Sequence, residues 1–318
     1  MLIDLTTDFF KAAASPDPVE AYRRYLDEHR PVLSAYWQNY ILDPDSPQAD
    51  GIIEGVVRAQ RRDLHALLDH VDIRGIAADT LARCEDQFQV DRQFDLYLMV
   101  GVGGANAGEL VVGGRGIAFI CLEHFTGRPN AETFGLGLNP DLMPLWIAHE
   151  VSHTVRYTSP MSRSELARLI FEARGFYDYW DTGSQSTLRE LLVNEGVAVA
   201  ASRAIAPGFD SKEYFGYGSH QYRRLRELEA FLRRAMADEL DKTGLGYRLK
   251  YLTGGTSQTS RVVRGKVIPE RAGYYLGHRM VEPYVTQHGI AQALRASAQE
   301  LVDADVEGAG DEAFGASA

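Results

Sequence analysis

The run LWIAHEVSHTVRY, residues 145–157, constrains this chain more than any other stretch. Pro144 suits a first helical position and Pro160 halts the chain beyond it, so the spacing predicts a helix over 143–157. Leu145, Trp146, Ile147, Ala148 and Val151 make that helix apolar on nearly every side, and a helix of that kind is buried. It nevertheless carries His149, Glu150 and His153. Either the two histidines hold a metal ion, or they are hydrogen-bonded groups on a core helix.

Positions four apart share one helix face, so His149 and His153 can aim both imidazoles at a single ion. Glu150 cannot easily join them as a ligand, but it can reach a water on the open side of the metal and take its proton. This is the logic of an H-E-x-x-H motif. In a chain with this content of histidine and glutamate the motif arises by accident with a probability of about 2%, so the decision rests on a third ligand. A metzincin arrangement is excluded, because it needs glycine and histidine where this chain has Arg156 and Ser159. Thr187 to Ser202, TLRELLVNEGVAVAAS, offers carboxylates on a second helix. Thr187 and Glu190 form a capping box at its start, while Glu195 lies among Leu191, Leu192, Val193, Val197, Ala198 and Val199. A carboxylate buried there demands a cation. Glu190 competes with Glu195 for the ligand role, and partial exposure of Glu195 or its pairing with an arginine such as Arg189 is the alternative to metal binding.

His149-Glu150-x-x-His153 followed by Asn194-Glu195 resembles the gluzincin clan of zinc metallopeptidases, to which thermolysin-like enzymes and many aminopeptidases belong. The segment PERAGYYLGHRMVEPYV, residues 269–285, is similar to the late GY-x-x-G helix of a poorly characterised bacterial group of predicted zinc-dependent proteases in that clan; this likeness runs from roughly Asp95 to Val302. The resemblance implies Zn2+ held by His149, His153 and Glu195, Glu150 as general base, and Tyr274 as donor to the oxyanion, with Tyr275 and His278 as alternatives. It also implies that Ala118 to Glu123 line the cleft as a peptide-binding edge strand. Glu123 is otherwise expected to be a solvated charge at a strand end. One departure stands out: thermolysin-like enzymes carry an aspartate four residues after the glutamate ligand, and here that residue is Val199. A backbone carbonyl, Asp181 or Asn194 is then expected to orient the histidines.

Outside the motifs, helical periodicity predicts three or four helices between Pro18 and about Glu85, two strands at 94–104 and 113–125, and helices at 143–157, 162–175, 187–206, 212–239, 271–287 and 290–303. GVGGANAG, 101–108, reads as a hairpin turn, and 243–270 as a functional loop or a small strand excursion. Arg223 to Arg234 reads as a solvated helix face. The expected fold is α+β and mostly helical: a gluzincin-like core whose small mixed or antiparallel sheet packs beside the active-site helix, with a helical C-terminal lobe. Its parts are a helical region 1–90, the sheet and H-E-x-x-H helix 91–160, a helical lobe 161–303 and a disordered tail 304–318.

A net charge of −11 repels phosphate backbones and anionic lipid, so nucleic acid and membrane partners are not expected. The N-terminus has acids where a signal peptide needs basic residues, and Cys84 and Cys121 are too few for a disulfide framework, so a cytoplasmic protein with a peptide or protein substrate is expected. The sequence leaves oligomeric state open. A zinc hydrolase of peptide bonds is the leading function; a non-catalytic binding protein on the same scaffold and a zinc amidohydrolase of a small metabolite are the alternatives.

Overall fold

The computed structural model describes residues 1–133, 137–254 and 257–303. The tail expected at 304–318 lies outside the described residues. The chain opens with a short strand, β1 (Leu2–Asp4), and then α1 (Thr6–Ala13), α2 (Pro18–Glu28), α3 (Arg30–Tyr40), α4 (Pro47–Arg58), α5 (Arg62–His70) and α6 (Ile73–Gln87). Local chemistry sets these boundaries. Asp17 accepts the Glu20 N–H and Asp72 the Gly75 N–H, satisfying first-turn donors of α2 and α6. Proline occupies the first turn of α2, α3 and α4. Five helices therefore fill a region where periodicity predicts three or four. His29 alone separates α2 from α3, and Arg61, in the left-handed region at φ 39°, helps divide α4 from α5; neither break disturbs the apolar pattern.

Three further strands follow: β2 (Phe94–Met99), β3 (Ala107–Val112) and β4 (Arg115–Cys121). They join β1 in a mixed sheet of order β1-β2-β4-β3, with β1, β2 and β4 parallel and β3 antiparallel to β4. Two expectations are corrected here. Residues 101–108 are not a hairpin turn, because they carry the chain from β2 across β4 to the far edge. The hairpin lies at Gly113–Gly114, both with positive φ, where the tight turn between Val112 and Arg115 requires residues free of a Cβ. The edge strands are β1 and β3, whereas β4, which contains Ala118, is hydrogen-bonded on both sides. Beyond β4, Leu122–Phe125 form a 3-10 turn in which Glu123 is buried and accepts the Gly101 N–H, so it is not a solvated charge.

Among the described residues, the further regular elements are helices and one hairpin: α7 (Met143–Thr158), α8 (Glu165–Glu172), α9 (Tyr179–Gln185), α10 (Leu188–Ile205), α11 (Ser219–Met236), α12 (Leu245–Tyr251), the pair β5 (Val262–Val263) and β6 (Lys266–Val267), α13 (Ala272–His288) and α14 (Ile290–Ala293). The glycine-rich stretch 243–270 thus contains a helix as well as a strand excursion. Arginines of α11 pair with Glu227 and Glu229 on the same helix, and Leu225, Leu228 and Leu232 face inward, which fits the solvated-face reading of 223–234. Both cysteines are free and buried.

α7 is central. It packs on β3 and β4 on one side and against α6 and α10 on the others, and α10 packs in turn on α13. The α10–α13 crossing has backbone meeting backbone: a Cβ on Gly277 would stand 1.9 Å from the Leu192 carbonyl oxygen, and one on Gly196 would stand 2.2 Å from the Gly277 carbonyl carbon. Only glycine fits at either position. We expect Gly277→Ala to destabilise the fold by about 3 kcal/mol or more, since rigid backbone cannot yield as a side chain does. Gly55→Ala in α4, where a Cβ meets nothing within 4 Å, should be neutral or stabilising. Thermal unfolding of both variants checks this, and equal effects would show that the crossing tolerates a methyl group.

Candidate metal centre

Because α7 is apolar nearly all round, burying it carries His149, Glu150 and His153 into the interior, where each is less than 5% exposed. Their electrostatic partner comes from α10. Glu195 Oε2 lies 3.3 Å from His149 Nε2 and 3.7 Å from His153 Nε2. Donor atoms bound tetrahedrally to one zinc at about 2.0–2.1 Å lie about 3.4 Å from one another. The three side chains therefore meet as the donor set of a metal ion would, two neutral nitrogens and one carboxylate oxygen, and the residues fit zinc.

Burial and mutual contact shift the protonation of this cluster. Burial pushes His149 down to about 4, prevailing over the pull of Glu195. His153 meets the same burial, but the nearby Glu109 and Glu195 outweigh it and raise the imidazole to about 9. Burial alone would lift Glu195, yet His153 and His149 hold it far below the ordinary carboxylate range. Without metal the site is thus a buried ion pair with one proton on His153. Glu150 is pushed well up by burial, with Glu109 as the next cause.

Glu109, on edge strand β3, is a site residue that sequence reasoning missed. Its carboxylate, that of Glu150 and a ring nitrogen of His153 lie within 4.8 Å of one another. Tyr157 donates to Glu109 Oε1 at 3.1 Å, accepts from Asn194 Nδ2 at 3.0 Å, and stacks on His153 at 5.7 Å. One phenol so links α7, α10 and β3. The signal available in sequence was a single carboxylate in the otherwise apolar strand AGELVV. Neither expected orienting group touches the histidines: Asp181 accepts from Gln185, and Asn194 serves Tyr157. Nδ1 of both His149 and His153 has no hydrogen-bond partner among the described residues.

The three alternatives on α13 are separated by their surroundings. Tyr274 faces the cleft, its ring stacked 6.1 Å from that of His149. Burial, and then Glu195, hold its phenol far above the ordinary value, so it remains a proton donor. Tyr275 points elsewhere and donates to Glu229 at 2.6 Å, while His278 packs on Phe215. The cleft has a volume of about 330 Å³ and is walled by β3, by Trp146, Tyr179 and Trp180, and by 252–254. A cavity of about 830 Å³ beside α8 is larger, but its lining contains no histidine and none of the converging groups.

Glu190 is not the third donor, and it does not close a capping box. Thr187 Oγ1 accepts the Glu190 N–H, but the reciprocal acceptor for the Thr187 N–H is Glu165. The Glu190 carboxylate instead meets Arg156 of α7 at 2.8 Å, both side chains essentially inaccessible. Arg189 pairs with Asp241, far from the role of neutralising Glu195.

Residues 176–303 match the family described as Predicted Zn-dependent protease (DUF2268). The matched stretch includes Glu195 and Tyr274 but not the H-E-x-x-H helix. No curated protein and no solved structure matches the chain.

Two measurements test this geometry. Glu190→Gln leaves Arg156 buried without its counter-charge and should cost about 3–5 kcal/mol in urea unfolding, well above the roughly 1 kcal/mol of a lost helix cap. Zinc binding requires the His153 proton to leave, so below its value of about 9 the affinity should rise about tenfold per pH unit and level off above it. Chelator competition across pH reads this slope, and a flat profile between about pH 6 and 8 would contradict it.

Proposed function

We propose that this protein is a zinc-dependent hydrolase of peptide bonds. The observation that carries the reading is the convergence of His149 Nε2, His153 Nε2 and Glu195 Oε2 beside Glu150 in a cleft bordered by a sheet edge. Likeness to predicted zinc-dependent proteases over 176–303 supports it. Zinc, when bound, supplies Lewis acidity that polarises the scissile carbonyl and acidifies the attacking water.

The chain's own groups do the rest. Glu150 takes the proton of the attacking water and passes it to the leaving amine; its burial raises its basicity toward what that transfer needs. Tyr274 donates its hydroxyl proton in a hydrogen bond to the oxygen on which negative charge develops. Among the described residues no strand pairs with the outer side of β3, but Tyr40 Oη bonds the Glu109 backbone and the Tyr177 N–H the Val111 carbonyl, so an extended peptide would lie against this edge beside Tyr40 or displace those contacts. Trp146, Tyr179 and Trp180 narrow the cleft and exclude water around the reacting atoms.

No helix among the described residues is long and apolar enough to cross a membrane. We expect about one zinc per chain after mild purification. Glu150→Gln should keep that zinc and lose activity on a peptide library by about 10³-fold or more, whereas Glu195→Gln should lose the zinc itself, since a neutral amide is a poor ligand. Metal analysis and a digest profile read the two effects separately. A protein without zinc would end the proposal, and metal-loaded protein that cuts no peptide would redirect it to a small-molecule amide or a binding role.

A further inference from the structure

Two cations in the cleft have no part in that chemistry. Arg271 lies at the start of α13 with its guanidinium over the Tyr274 ring, 4.2 Å from the centroid, and a terminal nitrogen packed near Gly216 and Trp146. Its backbone is left-handed, at φ 54°, which is costly for a residue with a side chain. The strained turn is pinned: Tyr217 Oη donates to the Arg271 carbonyl at 2.5 Å, and the Tyr274 N–H donates to it at 3.1 Å. Arg248, 6% exposed, donates to the Tyr179 carbonyl and the Tyr177 hydroxyl and lies 3.4 Å above the Tyr179 ring.

Among the described residues, no carboxylate forms an ion pair with either arginine. Elsewhere in this chain three buried guanidinium groups are answered, Arg156 by Glu190, Arg295 by Asp91, and Arg261 by Glu270, the residue directly before Arg271; buried Arg61 has no ion pair among the described residues either, but it does not line this cleft. Arg248 is held out of water without a counter-ion, which is costly, and Arg271, partly exposed on the same cleft, can meet an anion from elsewhere. Stacking on Tyr274 occupies the face of the Arg271 guanidinium and leaves its N–H edges, whose fork geometry suits a carboxylate. The surroundings make such a group selective. Glu109 and Glu195 line the same cleft and disfavour an anion placed beside them rather than beside the arginines.

We infer that Arg271 binds a carboxylate of the substrate close to the scissile bond, with Arg248 adding to the local positive field. This rests on the peptidase reading for its substrate class, and it makes the protein selective for peptides with either a free C-terminal carboxylate or an acidic side chain at that place.

Binding to zinc-loaded Glu150→Gln protein tests it without turnover. Random hexapeptide pools carrying a neutral fluorophore are made in three forms: free acid without Asp or Glu, C-terminal amide without Asp or Glu, and amide with one Asp or Glu. The free-acid or the acidic-amide pool should bind about 10- to 100-fold more tightly than the uncharged amide, and which of them does so identifies the source of the carboxylate. Adding Arg271→Gln should bring the ratio to within about threefold, with zinc content retained. Arg271→Lys, which keeps the charge and loses the fork, should hold an intermediate ratio and covers the case in which the glutamine variant does not fold. Equal binding of all pools by the parent protein, or a ratio that survives both substitutions, overturns the inference. An equal loss across every pool also overturns it, because Arg271 would then act only through Tyr274. Cleavage of the same pools by unsubstituted protein is read separately: preference without cleavage sinks the hydrolase and leaves the carboxylate site, while cleavage without preference sinks the site alone.

Discussion

On the buried stretch of α7, His149, His153 and Arg156 are answered by carboxylates of α10, and the fold depends on that pairing. An apolar helix at the centre of a protein carries His149, Glu150, His153 and Arg156 out of water, at a cost that unpaired groups could not sustain. Glu195 meets the two histidines, and Glu190, less than two turns earlier on α10, meets Arg156. The two contacts differ in kind. Arg156 and Glu190 form a closed, inaccessible ion pair that sets the register of the helices. The histidines and Glu195 form a pair open to a cleft, with donor atoms spaced as a metal would space them.

The α10–α13 crossing fixes the other half of the site. Because Gly196 and Gly277 let the two backbones touch, α13 brings Tyr274 to within stacking distance of His149. Glu195 and Gly196 are adjacent, and Tyr274 lies about one turn before Gly277 on α13, so the residues that permit the close approach stand near those that face the cleft. The Asn194–Tyr157–Glu109 chain performs a similar service across the sheet, tying the edge strand to both helices. Placement of the donor set, the Tyr274 hydroxyl and the β3 edge therefore comes from three crossings of rigid elements.

Much of the centre was legible in the chain because its signals are local. Two histidines at i and i+4 on an apolar helix share a face whatever the surroundings, and a carboxylate flanked by Leu191, Leu192, Val193 and Val197 will be buried on any fold that buries that helix. Helices with caps and prolines at their starts, and strands with glycine pairs between them, are likewise written in short windows. The same logic explains a local failure: Thr187 and Glu190 have the spacing of a capping box, but a buried arginine competes for Glu190 more strongly than a backbone N–H does.

What only the tertiary structure decided are the relations between windows. Strand order is one: β3 and not β4 is the edge on this side of the sheet, because the chain crosses the sheet at 101–108 before the hairpin at Gly113–Gly114, and periodicity is blind to which strand pairs with which. The facing of Tyr274, Tyr275 and His278 is another, since three neighbours on one helix are distinguished only by what each meets. Glu109 and Arg271 came to line the cleft through elements packed from far along the chain. The sequence by itself determined which groups would be taken out of water; which of them would meet was left to the packing of helices and sheet, because the energy of a buried charge depends on a partner that no short window contains.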